Sequence, residues 1–195
     1  MFTGIIETTG SVKQIITNGT NKSFWIESLL FSQLKVDQSI SHNGVCLTVE
    51  DLKDGMHKVT AVKETLKKTN LSKWEVNTHV NMERSLQLSA RLDGHFVQGH
   101  ADTIGALTGK EDEDGSWKLT FKFPKKFGAL VVEKGAISIN GISLTIFNVN
   151  KSSFSVAIIP YTWQHTNLQF IKENDDVNLE FDLIGKYIGR KLSLK

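Results

Sequence analysis

The stretch SISHNGVCLTV, residues 39–49, returns almost unchanged as AISINGISLTI, residues 136–146. The Asn-Gly steps at Asn43 and Asn140 set an offset of 140 − 43 = 97 residues. Thr65 answers Thr162 at that spacing, Asn70-Leu71 answers Asn167-Leu168, and Val80-Asn81-Met82-Glu83 answers Val177-Asn178-Leu179-Glu180. Near the start the offset slips to 99 − 4 = 95, since Gly4 and Gly10 match Gly99 and Gly105, and one short loop insertion explains the slip. A period of this length exceeds solenoid repeats and approaches a small domain, so the chain reads as two copies of one fold. A doubled fold carries two similar pockets, and two similar pockets invite two similar ligands.

Apolar residues alternate within each copy. Phe24 and Ile26 share a face, and Trp117, Leu119, Phe121 and Phe123 step by two between polar or charged neighbours, the period of a half-buried strand. Asn18-Gly19-Thr20-Asn21, Lys53-Asp54-Gly55 and Glu113-Asp114-Gly115 supply turn chemistry for short antiparallel connections. The expected class is therefore all-β: two tandem six-stranded Greek-key barrels, whose closure removes exposed strand edges, followed by a C-terminal α-helix. Other helix is expected only as single turns within residues 28–34, 66–71 and 163–168, with residues 84–92 in the joint. The expected division is residues 1–93, 94–182 and 183–195. In the last segment Leu183, Ile184, Tyr187, Ile188 and Leu192 recur at helical spacing, with Lys186, Arg190 and Lys191 between them. Such a helix lies outside the duplicated core and needs an apolar partner, for which self-association is the expectation.

Composition narrows the function. The apolar fraction of 39% and charged fraction of 23% are ordinary for a globular chain. The 23 Lys and Arg are scattered among 21 Asp and Glu, so no basic stripe marks a nucleic-acid groove. Cys46 is the only cysteine, which excludes an intrachain disulfide and fits a reducing cytosol. MFTGIIE, residues 1–7, lacks a basic region followed by an apolar run, and no apolar run reaches membrane-spanning length, so a cytoplasmic protein is expected.

After each Asn-Gly step stand two small polar residues two apart: Cys46 and Thr48 in the first copy, Ser143 and Thr145 in the second. Residues two apart share a strand face, so each copy aims a hydrogen-bonding or nucleophilic pair one way. Taken singly, each reads more readily as a small residue in a barrel wall; recurrence at matched positions weakens that reading and points to a site. GHFVQGHAD, residues 94–102, places His95 and His100 five apart without a third ligand at metal spacing. That leaves His100 as a proton-transfer or hydrogen-bonding group rather than a zinc ligand, with a purely structural histidine the commoner reading of the pattern by itself. Lys63, Glu64 and Lys134 read on their own as solvated charges.

MFTGIIE, NGVCLT at residues 43–48, KET at 63–65, GHFVQGH at 94–100 and NGISLT at 140–145 together resemble the riboflavin synthase family along the whole chain. The resemblance implies a homotrimer gathered by the C-terminal helix. It implies two molecules of 6,7-dimethyl-8-ribityllumazine at each active site, formed where barrels of neighbouring subunits face. A four-carbon unit passes between them to give riboflavin and 5-amino-6-ribitylaminouracil, with no metal or separate cofactor. Lumazine synthase is a candidate partner, whereas nucleic acid and membrane are not.

Carried over by position, the first pocket takes Gly4, Ile5 and Ile6 with Cys46, Leu47 and Thr48, and a wall of Thr60, Ala61, Val62, Lys63, Glu64 and Thr65. The second takes Gly99, His100 and Ala101 with Lys134, Ser143, Leu144 and Thr145, and a wall of Ala157, Ile158, Ile159, Pro160, Tyr161 and Thr162. Phe2 and Thr3 fall at the junction. The resemblance makes His100 the proton-transfer group, Ser143 and Thr145 polar groups at the reacting ring, and Cys46 with Thr48 their counterparts in the facing barrel. Two positions depart from the family pattern: Asn140 stands where Asp is frequent, and Tyr161 where Glu or His is expected. A non-catalytic carrier of lumazine or flavin is the alternative within this fold. A tandem oligonucleotide-binding module is the alternative outside it, disfavoured by the dispersed charge.

Overall fold

Asn43 and Asn140 adopt φ of 48° and 46°, followed by Gly44 and Gly141 at 74° and 83°. Two successive left-handed residues make the tight hairpin turn that Asn-Gly favours, because its twist matches that of the flanking strands. The computed structural model describes residues 1–194, and each half is built around one of these hairpins. The first half contains β1 (Thr8–Asn18), β2 (Asn21–Glu27), β3 (Ser39–His42), β4 (Val45–Thr48), β5 (Asp51–Lys53), β6 (Met56–Ala61), α1 (Lys63–Lys68) and β7 (His79–Arg84). The second contains β8 (Thr103–Asp112), β9 (Trp117–Lys122), β10 (Ala136–Ile139), β11 (Ile142–Phe147), β12 (Ser153–Ile158), α2 (Pro160–His165) and β13 (Asp176–Phe181), and α3 (Leu183–Leu192) follows.

The second half closes as a six-stranded barrel, β10-β11-β12-β9-β8-β13. The first keeps the same neighbours in the same order, β4-β3-β7-β1-β2-β6-β5, but shows seven strands where six were expected. The strand equivalent to β11 is interrupted at Val49 and Glu50. There the Val49 amide donates to the Gln38 carbonyl and the Glu50 amide to the Lys58 carbonyl, both at 2.8 Å, so the backbone changes neighbours midway. The duplication extends to irregularities: the ladder shifts register between Val12 and Gln14 and again between Leu107 and Gly109. The two-residue slip lies in the connection after β2 and β9, since 39 − 27 = 12 whereas 136 − 122 = 14.

The two short helices begin three residues earlier than expected, at Lys63 and Pro160. α1 and α2 start directly after extended Val62 and Ile159, with Pro160 preset for the first turn of α2. Each is followed by a 3-10 turn, Asn70–Lys73 and Asn167–Gln169, capped by the hydroxyls of Thr69 and Thr166. Residues 28–34 hold only the 3-10 turn Phe31–Gln33. Past Arg84 the joint carries a turn in which the Ala90 amide donates to the Gln87 carbonyl at 3.0 Å. No helix among the described residues is long and apolar enough to cross a membrane.

The halves meet about a pseudo-twofold axis lined by six asparagines in register: Asn43 with Asn140, Asn70 with Asn167, and Asn81 with Asn178. Asn81 Nδ2 donates to the Asn140 carbonyl and to Asn167 Oδ1, both at 2.9 Å. Asn178 Nδ2 mirrors it on the Asn43 carbonyl at 2.8 Å, and the Asn70 amide donates to Asn178 Oδ1 at 2.7 Å. Backbones touch here: a β-carbon on Gly44 would lie 2.7 Å from the Gly141 nitrogen.

Each half has its own apolar core, centred on Phe24, Ile26, Ile40 and Met82 in the first and Phe121, Phe154, Leu179 and Phe181 in the second. One difference is chemical. Buried His42 and His57 stand where the second half has Ile139 and Phe154, at 139 − 42 = 154 − 57 = 97. Their Nε2 atoms lie 2.8 Å apart, and His42 Nδ1 lies 3.1 Å from the Ile40 carbonyl. One of the two Nε2 atoms must be unprotonated to accept from the other. Burial, then the neighbouring His57, holds His42 well below the imidazole range, and burial lowers His57 from 6.5 to about 4. The unfolded chain takes up these protons near pH 6.5 and the folded chain does not, so stability is full above that pH and falls as pH drops towards 4. Each histidine removes about 1.4 kcal/mol per pH unit in that window. Urea unfolding should therefore show stability falling from about pH 7.5 to 5, and the variant His42→Ile/His57→Phe, which copies the second half, should flatten that slope. An equal slope in the variant would assign the acid sensitivity elsewhere.

Candidate functional site

Val45 and Leu47 of β4 enter the first core, so Cys46 and Thr48 face outward; Ile142 and Ile146 leave Ser143 and Thr145 outward on β11. Each outward pair is met by the segment that leads into the opposite half. The Ser143 amide donates to the Gly4 carbonyl and the Cys46 amide to the Gly99 carbonyl, both at 2.8 Å. A β-carbon on Gly4 would lie 2.6 Å from Ser143 Cβ, and one on Gly99 2.7 Å from Cys46 Cβ, with φ of 80° and 79°. Only glycine permits that approach. Ile6 packs against the second core and Ala101 against the first.

This exchanges the expected grouping, which placed Gly4, Ile5 and Ile6 with Cys46 and placed Gly99, His100 and Ala101 with Ser143. The cause is the junction, where Phe2 and Val97 exchange hydrogen bonds of 2.7 and 3.1 Å as the lead-in segments pass antiparallel to each other. Each segment is thereby delivered to the other half's hairpin before it turns back into its own first strand. Phe2 and Thr3 are buried at this crossing.

The crossing also decides which histidine reaches which face. His95 Nδ1 lies 2.7 Å from Ser143 Oγ, and the His95 amide donates to the Thr3 carbonyl at 3.1 Å. Burial holds the His95 ring below the usual imidazole range, opposed by the Asp182 carboxylate. A neutral ring can accept the Ser143 proton, which makes the pair a ready route for proton transfer. His100 is exposed and follows Gly99 on the Cys46 side, its amide donating to Glu180 Oε2 at 2.8 Å.

Around the first face Thr60 points outward and shares a 2.7 Å hydrogen bond with Ser23, while Leu47 and Ala61 are in the core and offer the face only backbone. Val62, Lys63 and Glu64 are exposed, and Lys68, 2.8 Å away, holds the Glu64 carboxyl below its usual range. The Thr65 carbonyl is taken by Thr69 Oγ1 at 2.7 Å. Around the second face Ala157, Ile159, Pro160 and Tyr161 are exposed, Ile158 is in the core and Leu144 packs against it. The Tyr161 ring stacks on His165 at 4.1 Å, and the Thr162 carbonyl accepts from Thr166 Oγ1 at 2.7 Å. Lys134, at φ 65°, donates its amide to the Ile146 carbonyl at 2.9 Å, one residue beyond Thr145. Asn140 is occupied structurally: its Oδ1 accepts the Asn178 amide at 2.8 Å, as Asn43 does for Asn81 at 2.7 Å.

A groove of about 650 Å³ runs beside the first lead-in segment, lined by Thr3, Ile5, Glu83 and Arg84 among others. A separate cleft of about 320 Å³ opens beside the asparagine cluster, lined by Trp74, His79 and Phe170, and neither polar pair borders it. Among the described residues no group of three or more His, Cys, Asp or Glu is placed to hold a metal ion.

A lumazine binding domain model matches the chain twice, at residues 3–85 and 98–182. The chain belongs to the lumazine-binding family. It is 38% identical to the riboflavin synthase of Actinobacillus pleuropneumoniae over 100% of this chain and 91% of that protein. It is 34% identical to that of Bacillus subtilis, covering 98% and 90%, and 35% identical to that of Saccharomyces cerevisiae, covering 100% and 87%. Crystal structures of LumP complexed with riboflavin and with 6,7-dimethyl-8-(1'-D-ribityl) lumazine share the fold at TM-scores of 0.88 and 0.85, with 22% and 21% identity, each covering 93% of this chain and 99% of that one.

Both lumazine-binding domains thus begin within the crossing segments, at Thr3 and Gln98. Residue pattern alone did not single out His95 as the partner of Ser143, nor Glu83 and Glu180 beneath the segments. Their signal was present, since GHFVQGH contains His95 and both glutamates close repeated islands. Gly4→Ala and Gly99→Ala should each lower the free energy of unfolding by about 2–3 kcal/mol, because strain adds to a steric clash. Gly19→Ala, at φ 60° with no atom within 4 Å of the added carbon, should lose about 1 kcal/mol. Equal losses in urea melts would contradict the close crossing.

Proposed function

We propose that this chain is a riboflavin synthase, converting two molecules of 6,7-dimethyl-8-ribityllumazine to riboflavin and 5-amino-6-ribitylaminouracil by transfer of a four-carbon unit. The observation that carries the reading is the Ser143–His95 contact at 2.7 Å on one outward face, matched by Cys46 and Thr48 on the other. The relatives named riboflavin synthase span the whole chain and support the same reading.

The lumazine C7 methyl is acidic because the resulting carbanion is delocalised into the ring, and C7 itself is electrophilic. His95 acting through Ser143 is suited to take a methyl proton from the ring on the second face. Cys46 and Thr48 with His100 hold the ring on the first face, where a hydroxyl or water adds. The half-buried hydroxyls of Thr60 and Thr162, with the exposed backbone at Val62 and Ile159, supply polar contacts for the pyrimidinedione edge and ribityl chain. Holding two rings in register can provide an effective molarity of about 10⁵ M or more, so orientation carries much of the rate.

Both faces are open on one chain, with Ile5, Val62, Ile159 and Tyr161 exposed, and a second subunit supplies the opposing ring in this reading. α3 supports a trimer: Gly185 and Gly189 lie against Leu130 of their own half, while Ile184, Tyr187, Ile188 and Leu192 remain exposed. A reducing cytoplasm suits the single free thiol. The carrier reading shares the fold but assigns no work to the Ser143–His95 pair.

Mixing the chain with 6,7-dimethyl-8-ribityllumazine should generate riboflavin fluorescence; unchanged lumazine at full occupancy would make it a carrier. Ser143→Ala should lower turnover about 100-fold with lumazine affinity nearly unchanged, and wild-type turnover in that variant would remove the proposed proton route. Deleting residues 183–195 should give monomers by light scattering with little activity. A fully active monomer would contradict the shared site.

A further inference from the structure

A buried carboxylate lies beneath each lead-in segment, and the chemistry above makes no use of either. Glu83 on β7 accepts the Thr3 amide at 2.6 Å, the Thr3 hydroxyl at 2.7 Å and the Gly4 amide at 2.9 Å. Glu180 on β13, its equivalent at 180 − 83 = 97, accepts the amides of Gln98 at 2.6 Å, Gly99 at 2.9 Å and His100 at 2.8 Å. Both residues are nearly inaccessible, at 4% and 2% exposure, and among the described residues neither takes part in a salt bridge. The lead-in donors are therefore what compensates each buried carboxylate, and such charge-assisted bonds are about twice as strong as neutral ones. At Glu83 they offset the burial that raises its carboxyl above the usual range.

The peptides so held present their carbonyls to the other half. Thr3 and Gly4 receive the amides of His95 and Ser143, and Gly99 receives the amide of Cys46. A carboxylate in one half is thus one peptide removed from the polar pair of the other.

We propose that Glu83 and Glu180 are positioning residues that act crosswise: Glu83 of the first half orients Ser143 and His95 at the second face, and Glu180 of the second half orients Cys46 at the first. The assignment rests on reading the two faces as lumazine sites, but its test reads side chains rather than turnover. Cys46 is the only cysteine, so its modification rate by a chromogenic aromatic disulfide reports on the first face alone. The ring titration of His95, followed by NMR on ¹³C-histidine-labelled full-length protein and assigned with His95→Gln, reports on the second.

Glu180→Gln should raise the Cys46 rate about tenfold by freeing the 98–100 segment, and leave the His95 titration in place. Glu83→Gln should move the His95 titration up towards the ordinary imidazole range and leave the Cys46 rate in place. If a glutamine variant does not fold, Glu83→Asp and Glu180→Asp, which keep the charge and withdraw it by one methylene, should give the same crossed pattern at smaller amplitude. An uncrossed pattern, both reporters moving alike, or neither moving overturns the proposal. Crossed reporters in a chain that leaves lumazine unconverted would uphold the positioning and remove the synthase; uncrossed reporters in an active synthase would do the reverse.

Discussion

Two backbone hydrogen bonds carry the architecture of both faces: Ser143 to Gly4 and Cys46 to Gly99. Each closes a segment of one half over the hairpin of the other, so neither outward pair is completed by its own repeat. The bonds are possible because glycine lets two backbones approach within side-chain distance, and because buried glutamates fix the segments from beneath. The six asparagines hold the halves at the angle this crossing needs. Their amides donate across the axis to carbonyls that would otherwise be orphaned in a buried interface.

The pseudo-symmetry is close in backbone and loose in chemistry. Irregularities as small as a ladder shift are repeated, yet the first core keeps a neutral histidine pair where the second keeps Ile139 and Phe154. Ile5 occupies the place of His100. One face has a half-buried histidine on its serine, whereas the other has an exposed histidine following the glycine that meets its cysteine. Dissimilar faces suit a reaction in which two identical molecules must play different parts.

The duplication, the hairpin turns and the outward direction of Cys46, Thr48, Ser143 and Thr145 were legible in the sequence, because local period and turn chemistry determine them. The interruption of one strand at Val49 and Glu50 was not anticipated, although Val45, Leu47 and Val49 alternate and the next apolar residue, Leu52, comes three positions on, so the phase breaks where the backbone changes partner. Nor was the crossing. An offset identifies Gly4 with Gly99, but equivalent segments obey the same local rules whichever hairpin they dock on, and only the Phe2–Val97 bridge decides. His95 was missed for the same reason: five residues from His100, it is separated from it by the crossing itself. Asn140, a departure from the family pattern, is engaged like its counterpart Asn43 in holding adjacent strands.

A crystal structure of the chain with 6,7-dimethyl-8-ribityllumazine bound tests the crosswise construction most directly. One ring should rest against Cys46, Thr48 and the segment from Gly99 to Ala101, and the other against Ser143, Thr145, His95 and the segment from Thr3 to Ile6. Rings lying with Gly4 beside Cys46, or held in the asparagine-lined cleft, would contradict it.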